Sequence, residues 1–139
     1  MNTKRHDALS ALSGCAWAGI AYLIGRTALG PILVGGLLAS PLIGLVVGRL
    51  YRPAYALSTR GRALAALVTF YIAVALFGLA VGLYDAFALA VPGRIPSAVV
   101  IQAVIGMLWG VTFTGYVVVL WPLAYLNHWL VGRVSEESG

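Results

Sequence analysis

The stretch ALAALVTFYIAVALFGLAVGLY, residues 63–84, decides the architecture. Arg62 stands before it and Asp85 after it, with no charged side chain between them. A helix rises 1.5 Å per residue, so this run covers about 33 Å, matching a hydrocarbon core roughly 30 Å thick. The run therefore reads as a membrane span and sets the scale for the rest of the chain.

Three further runs of the same kind flank it. Toward the N-terminus, an uncharged stretch closes at Arg26, and Gly30-Pro31 supplies a helix stop followed by a helix start. A second stretch ends at Arg49, before the arginine-rich connection RLYRPAYALSTRGR, 49–62. After residues 63–84 comes VPGRIP, 91–96, and then a run with no charge until Arg133. That last run of about 35 residues would reach roughly 50 Å, too long for one upright helix. Pro122 lacks an N–H and clashes with the preceding turn, so a break is expected there. The expected spans are thus about 8–28, 31–50, 63–84 and 98–120, with an interfacial segment at 121–133. This segment carries Trp121, Tyr125 and Trp129 at four-residue spacing on one helix face, where they read as interfacial anchors.

Composition agrees. The 139 residues are 61% hydrophobic and 9% charged, against about 25% charged in an average soluble domain. Thirteen charged side chains cannot cover a water-facing surface without leaving large apolar patches. The expected fold is an all-α integral membrane four-helix bundle forming one domain, 1–139. With four spans, Lys4, Arg5, Arg49, Arg52, Arg60, Arg62 and Arg133 share one side and Arg26 and Arg94 the other. The positive-inside rule then puts both termini in the cytoplasm of a bacterial inner membrane. The net charge of +5 reads as orientation, not as nucleic-acid binding, because the basic residues lie between apolar segments.

Leu12-Ser13-Gly14-Cys15 resembles the lipobox of bacterial lipoproteins. The apolar region before Cys15 is only 8–12, however, shorter than a signal peptide needs, and the apolar run continues past it, so a plain first span is expected. Cys15 is the sole cysteine, which excludes an internal disulfide.

Four spans leave about 55 residues for tails and connections, too few for a water-soluble domain. Function must then come from the bundle or its surface, and catalysis is not expected. No ionisable residue falls near the centre of a span, unlike the small proton-coupled multidrug exporters with their embedded glutamate. Arg26 and Asp85 fall at outer helix ends, as snorkelling caps or as an ion pair. Arg49, Arg52, Arg60 and Arg62 suit anionic lipid headgroups. Gly44/Gly48, Gly78/Gly82, Gly106/Gly110 and the stripe Ser10, Gly14, Ala18 allow close helix approach. Trp17 and Trp109 read as knobs facing lipid or a partner.

Three functions follow as expectations. The first is a non-catalytic accessory or scaffold subunit of a larger membrane assembly, with membrane lipids, other subunits or a second copy as partners and no cofactor. The second is a small transporter or channel in which Ser40-Pro41 breaks the second helix and Gln102, Thr112 and Thr114 add a polar wall. The third is a haem- or quinone-binding electron carrier using His6 and His128.

Overall fold

The computed structural model describes residues 3–25, 34–89, 95–112 and 117–136. These residues are all-helical: α1 Thr3–Gly25, α2 Val34–Tyr51, α3 Thr59–Leu89, α4 Ile95–Thr112 and α5 Val117–Glu136, with a 3-10 segment Arg52–Ala56 between α2 and α3. Two stretches, Val34–Ala56 and Thr59–Ala88, are long and apolar enough to cross a membrane. The turns at Gly30-Pro31 and 91–94 lie outside the described residues.

Helices α1 to α4 pack in sequence order, and α5 folds back to touch both α3 and α1. Small residues permit the approach. A Cβ on Gly14 would collide with the Ser40 carbonyl oxygen and come 3.1 Å from the Gly44 Cα. On the other side of α3, a Cβ on Gly106 of α4 would collide with the Gly78 carbonyl oxygen and lie 2.8 Å from the Gly82 nitrogen. The glycine spacings thus serve contacts within the chain.

The 49–62 connection is more ordered than its composition suggests. Pro53 cannot continue α2, and the chain tightens into the 3-10 segment, closed by Leu57 N–H donating to the Ala54 carbonyl at 3.0 Å. Ser58 stands at the N-cap of α3, its Oγ accepting from Gly61 N–H at 3.4 Å. Arg62 reaches back from the first turn of α3 and donates to the carbonyls of Leu57 (3.0 Å) and Tyr55 (2.7 Å). Tyr51, Ala54 and Ala66 form a buried cluster here, with Tyr55, Ala65, Trp121 and Tyr125 packed on it.

Two expectations about proline are corrected. Helix α2 is continuous through Pro41. The carbonyl orphaned by proline's missing N–H is that of Leu37, and the Ser40 hydroxyl donates to it at 2.7 Å. At the fourth span, Pro122 lies inside α5, so the break expected at it is absent; residues 113–116, between α4 and α5, lie outside the described residues. Pro122 is the sixth residue of α5, so its missing N–H leaves the Val118 carbonyl without its usual backbone donor while the helix runs on. The expected span 98–120 overlaps most of α4 and the first residues of α5.

Candidate functional site

The N-terminal turns of α1, the 3-10 segment, the start of α3 and the face of α5 around His128 meet at one end of the molecule. Asp7 of α1 is the hub. It accepts from Arg49 Nη2 at 2.8 Å and Nε at 3.2 Å, and it also pairs with Arg52 Nη2. The hydrogen bond from Arg49, with the charge of both guanidiniums, holds the Asp7 carboxyl below the usual carboxylate range.

His6 lies under this clamp and is 1% exposed. Arg52 Nε–H donates to His6 Nδ1 at 3.3 Å, which requires a lone pair there and so a neutral ring protonated on Nε2. His6 Nε2 lies 3.5 Å from the Tyr55 hydroxyl, which in turn donates to the His128 carbonyl at 2.8 Å. Burial, then the Arg52 charge, lowers the His6 pKa.

His128 is held by a second set of groups. The Thr69 hydroxyl donates to the Ala65 carbonyl at 2.9 Å. Its oxygen also shares a hydrogen bond with His128 Nε2 at 3.2 Å. Tyr51 stacks on the His128 ring, centroids 3.8 Å apart and planes 4° from parallel. Burial drives the His128 pKa down to about 4, so the ring is neutral at ordinary pH. Tyr55 stands edge-on to both Tyr51 (5.2 Å) and His6 (5.8 Å), completing a ladder of four rings.

Above this end lies a cavity of about 220 Å³ between α1, α2, α3 and α5. Helix α5 forms its floor: Leu120, Ala124, Asn127, His128 and Val131 recur at helical spacing and line it. Polar groups gather at that floor. Asn127 Nδ2 donates to Ser13 Oγ at 3.4 Å, and Ser13 Oγ donates to the Ser10 carbonyl at 2.9 Å. The Ser10 Oγ is buried and has no hydrogen-bond partner among the described residues. Higher up the wall is apolar, with Trp17 edge-on to Phe70 at 6.4 Å.

The structure brings His6 and His128 into one cluster, as a shared cofactor would need. It does not shape them for haem, because His128 Nε2 is engaged by Thr69 and Tyr51 covers its ring face. An axial ligand needs a free lone pair facing open space. The arginines expected on lipid headgroups are largely engaged: Arg49 and Arg52 on Asp7, Arg62 on two carbonyls, with Arg60 exposed. Trp121 donates its indole N–H to the Ala63 carbonyl at 2.8 Å and Tyr125 packs on the buried cluster, while Trp129 is exposed with Arg133 over its ring at 5.2 Å. Trp17 faces the cavity instead of lipid, and Cys15 is exposed on α1. Asp85 is half-buried on α3. Arg26, Thr114 and the side chains of Gln102, Trp109 and Thr112 lie outside the described residues, so neither the Arg26–Asp85 pair nor the polar wall is tested.

Asp7, Ser10, Tyr51, Tyr55, Thr69 and Asn127 carry this site without having stood out as a polar set. The available signals were weak ones: Tyr51 and Tyr55 share a helical face, and so do Ala124, His128 and Val131. Comparison with known protein families, with curated proteins and with solved structures finds no match for this chain.

Proposed function

We propose that this chain is a four-span protein of a bacterial inner membrane, with α1 to α4 as spans, both termini cytoplasmic and α5 at the cytoplasmic interface. In this reading it is a non-catalytic accessory subunit that packs sideways on other membrane subunits. The supporting observation is the outer face of α2. Leu38, Leu42, Val46 and Leu50 recur every four residues and are 70%, 63%, 38% and 53% exposed. Four such residues make a continuous aliphatic ridge about 18 Å long, directed away from the buried face of Gly36, Ser40, Val47 and Tyr51. Exposed aliphatics continue on both neighbours, Leu12 and Leu23 on α1 and Leu64 and Val68 on α3. A contiguous apolar surface of this kind serves lateral contact in a membrane, with lipid or with a partner helix.

The four-span reading also accords with the Asp7 clamp, which brings the N-terminal end of α1 to Arg49 and Arg52 on one side of the bundle. The solute-path reading gains less, because the Ser40 hydroxyl is spent on its own helix.

Native mass spectrometry after extraction in mild detergent tests the proposal. A stoichiometric membrane partner is expected, lost in Leu42→Lys. A chain that runs as a lone monomer with unchanged mass in both forms overturns it.

A further inference from the structure

A further cavity, of about 360 Å³, lies between the 49–62 connection and the C-terminal half of α5. Small-ligand pockets begin near this size, at about 300 Å³. Its wall is polar: Tyr55, Arg62, Tyr125, Trp129, Arg133 and Glu136 border it. The four from α5 follow one another at spacings of three and four, so a single helix face supplies them. Beside that face, Leu126, Leu130 and Val134 are exposed and form an aliphatic stripe.

Two opposite charges border this space without meeting. Arg62 is braced by the bonds from Nε to the Leu57 carbonyl and from Nη2 to the Tyr55 carbonyl, which leaves the two N–H groups of Nη1 over. Glu136 is exposed near the end of α5 and, among the described residues, forms no salt bridge with Arg62. Both act on the Tyr55 hydroxyl: burial, then Tyr51 and Glu136, push its pKa up, and Arg62 and Arg52 oppose them. An anion alone would meet the Glu136 carboxylate, and a cation alone the Arg62 guanidinium. A zwitterion with its charges a few bonds apart complements both. The wall also selects the kind of cation. A quaternary ammonium seeks an open aromatic face, and the Trp129 ring carries Arg133 over it at 5.2 Å. A primary ammonium instead donates to carboxylate and phenol oxygens, here those of Glu136 and Tyr125.

We propose that this cavity binds the headgroup of a phosphoethanolamine lipid, its phosphate on Arg62, its ammonium on Glu136 and Tyr125, and its acyl chains along Leu126 and Leu130. The phosphoethanolamine ester is the chemistry recognised, and the aliphatic stripe favours the lipid over the same ester in water. The proposal rests on the interfacial placement of α5 given above and on no partner subunit.

Titrating the delipidated protein in non-ionic detergent with single phospholipids tests it, bound lipid being counted by native mass spectrometry. Phosphatidylethanolamine should be retained at least about fivefold over phosphatidylcholine and phosphatidylglycerol, the worth of one hydrogen bond. Glu136→Gln should cut the preference over phosphatidylglycerol at least about threefold, and Arg62→Gln should weaken all three lipids. Arg62 also braces the connection, so if Arg62→Gln does not fold, Glu136→Gln at its exposed helix end carries the test. Glycerophosphoethanolamine, the same ester without tails, should displace the lipid only in large excess, and displacement at equal concentration overturns the lipid as the ligand. Equal retention of the three lipids, or a preference unmoved in Glu136→Gln, overturns the site. The ester bound with no lipid retained overturns the lipid and the interfacial placement together. Leu42→Lys, which tests the ridge, should leave this binding unchanged, so the accessory role and the headgroup site fail separately.

Discussion

Tyr51 lies flat on His128, the rings 3.8 Å apart and 4° from parallel, although 77 positions separate them in the chain. This contact joins α2 to α5, and the Tyr51 hydroxyl adds a bond to the Arg62 carbonyl at 3.1 Å. Tyr51→Phe keeps the stack and should cost about 1 kcal/mol, one hydrogen bond. Tyr51→Ala opens a cavity at a residue 2% exposed and should cost about 3–5 kcal/mol. Unfolding titrations from detergent into denaturing detergent measure both, and equal costs would remove the stack from the account.

Acid should loosen the end that holds His128. An unfolded imidazole takes up its proton near pH 6.5, whereas the buried ring resists until about 4. Between these values the unfolded chain binds more protons, so stability falls as pH falls. Full passage through the window is worth about 3 kcal/mol. His6, lowered in the same direction, adds to the loss below its unfolded value. Melting temperature against pH in detergent measures this. A variant His128→Gln should flatten the profile, and an unchanged slope would sink the assignment to His128.

Ser40 and Pro41 act as a pair. Ser40→Ala strips the Leu37 carbonyl of its donor and should destabilise by about 1–2 kcal/mol. In a Pro41→Ala background the new backbone N–H supplies that donor, and the cost of Ser40→Ala should shrink toward zero. A double-mutant cycle reads the coupling directly, about 1 kcal/mol; additive costs would contradict it.

Close approach makes Gly14 sensitive and leaves Gly19 free. A Cβ at Gly14 meets the Ser40 carbonyl, so even Gly14→Ala must push α1 off α2 and cost about 1–3 kcal/mol. Gly19 on the same helix has nothing within 4 Å of such an atom. Gly19→Ala should stabilise by up to about 1 kcal/mol through helix propensity. Comparing the two melts tests the packing of α1, and equal effects would deny the contact.

Asp7→Asn removes the anion that holds Arg49 and Arg52. Freed guanidiniums should raise the amount of anionic phospholipid that co-purifies, in a salt-sensitive way. Lipid analysis of the extracted protein measures the ratio to zwitterionic lipid, and a ratio unmoved by the change would show that the clamp hides no such contact.

Length and hydropathy made the helices legible. The runs at about 8–28, 31–50 and 63–84 overlap α1, α2 and α3, whose apolar interiors carry few charges because desolvation penalises a charge placed there. The site was harder to read. Its partners are distant in sequence, Asp7 lying 42 and 45 positions from Arg49 and Arg52, and a distance along the chain says nothing about which charge meets which. The fourth run misled at Pro122, which sits inside α5 and not at a helix end. Helix α5 also hides its inward face. Val119, Leu123, Leu126 and Leu130 are exposed while Ala124 and Val131 are buried, so apolar residues occupy both sides and periodicity gives no direction.

Helix α5 leaves the ribosome after every element it fastens. Until it arrives, Tyr51 has no His128 ring to lie against, Thr69 has no imidazole, and Ser13 has no amide donor from Asn127. A chain halted at Thr112 would therefore leave the Tyr51 and Thr69 faces of α2 and α3 uncovered. Such a halted chain should turn over faster in a pulse-chase than the full chain.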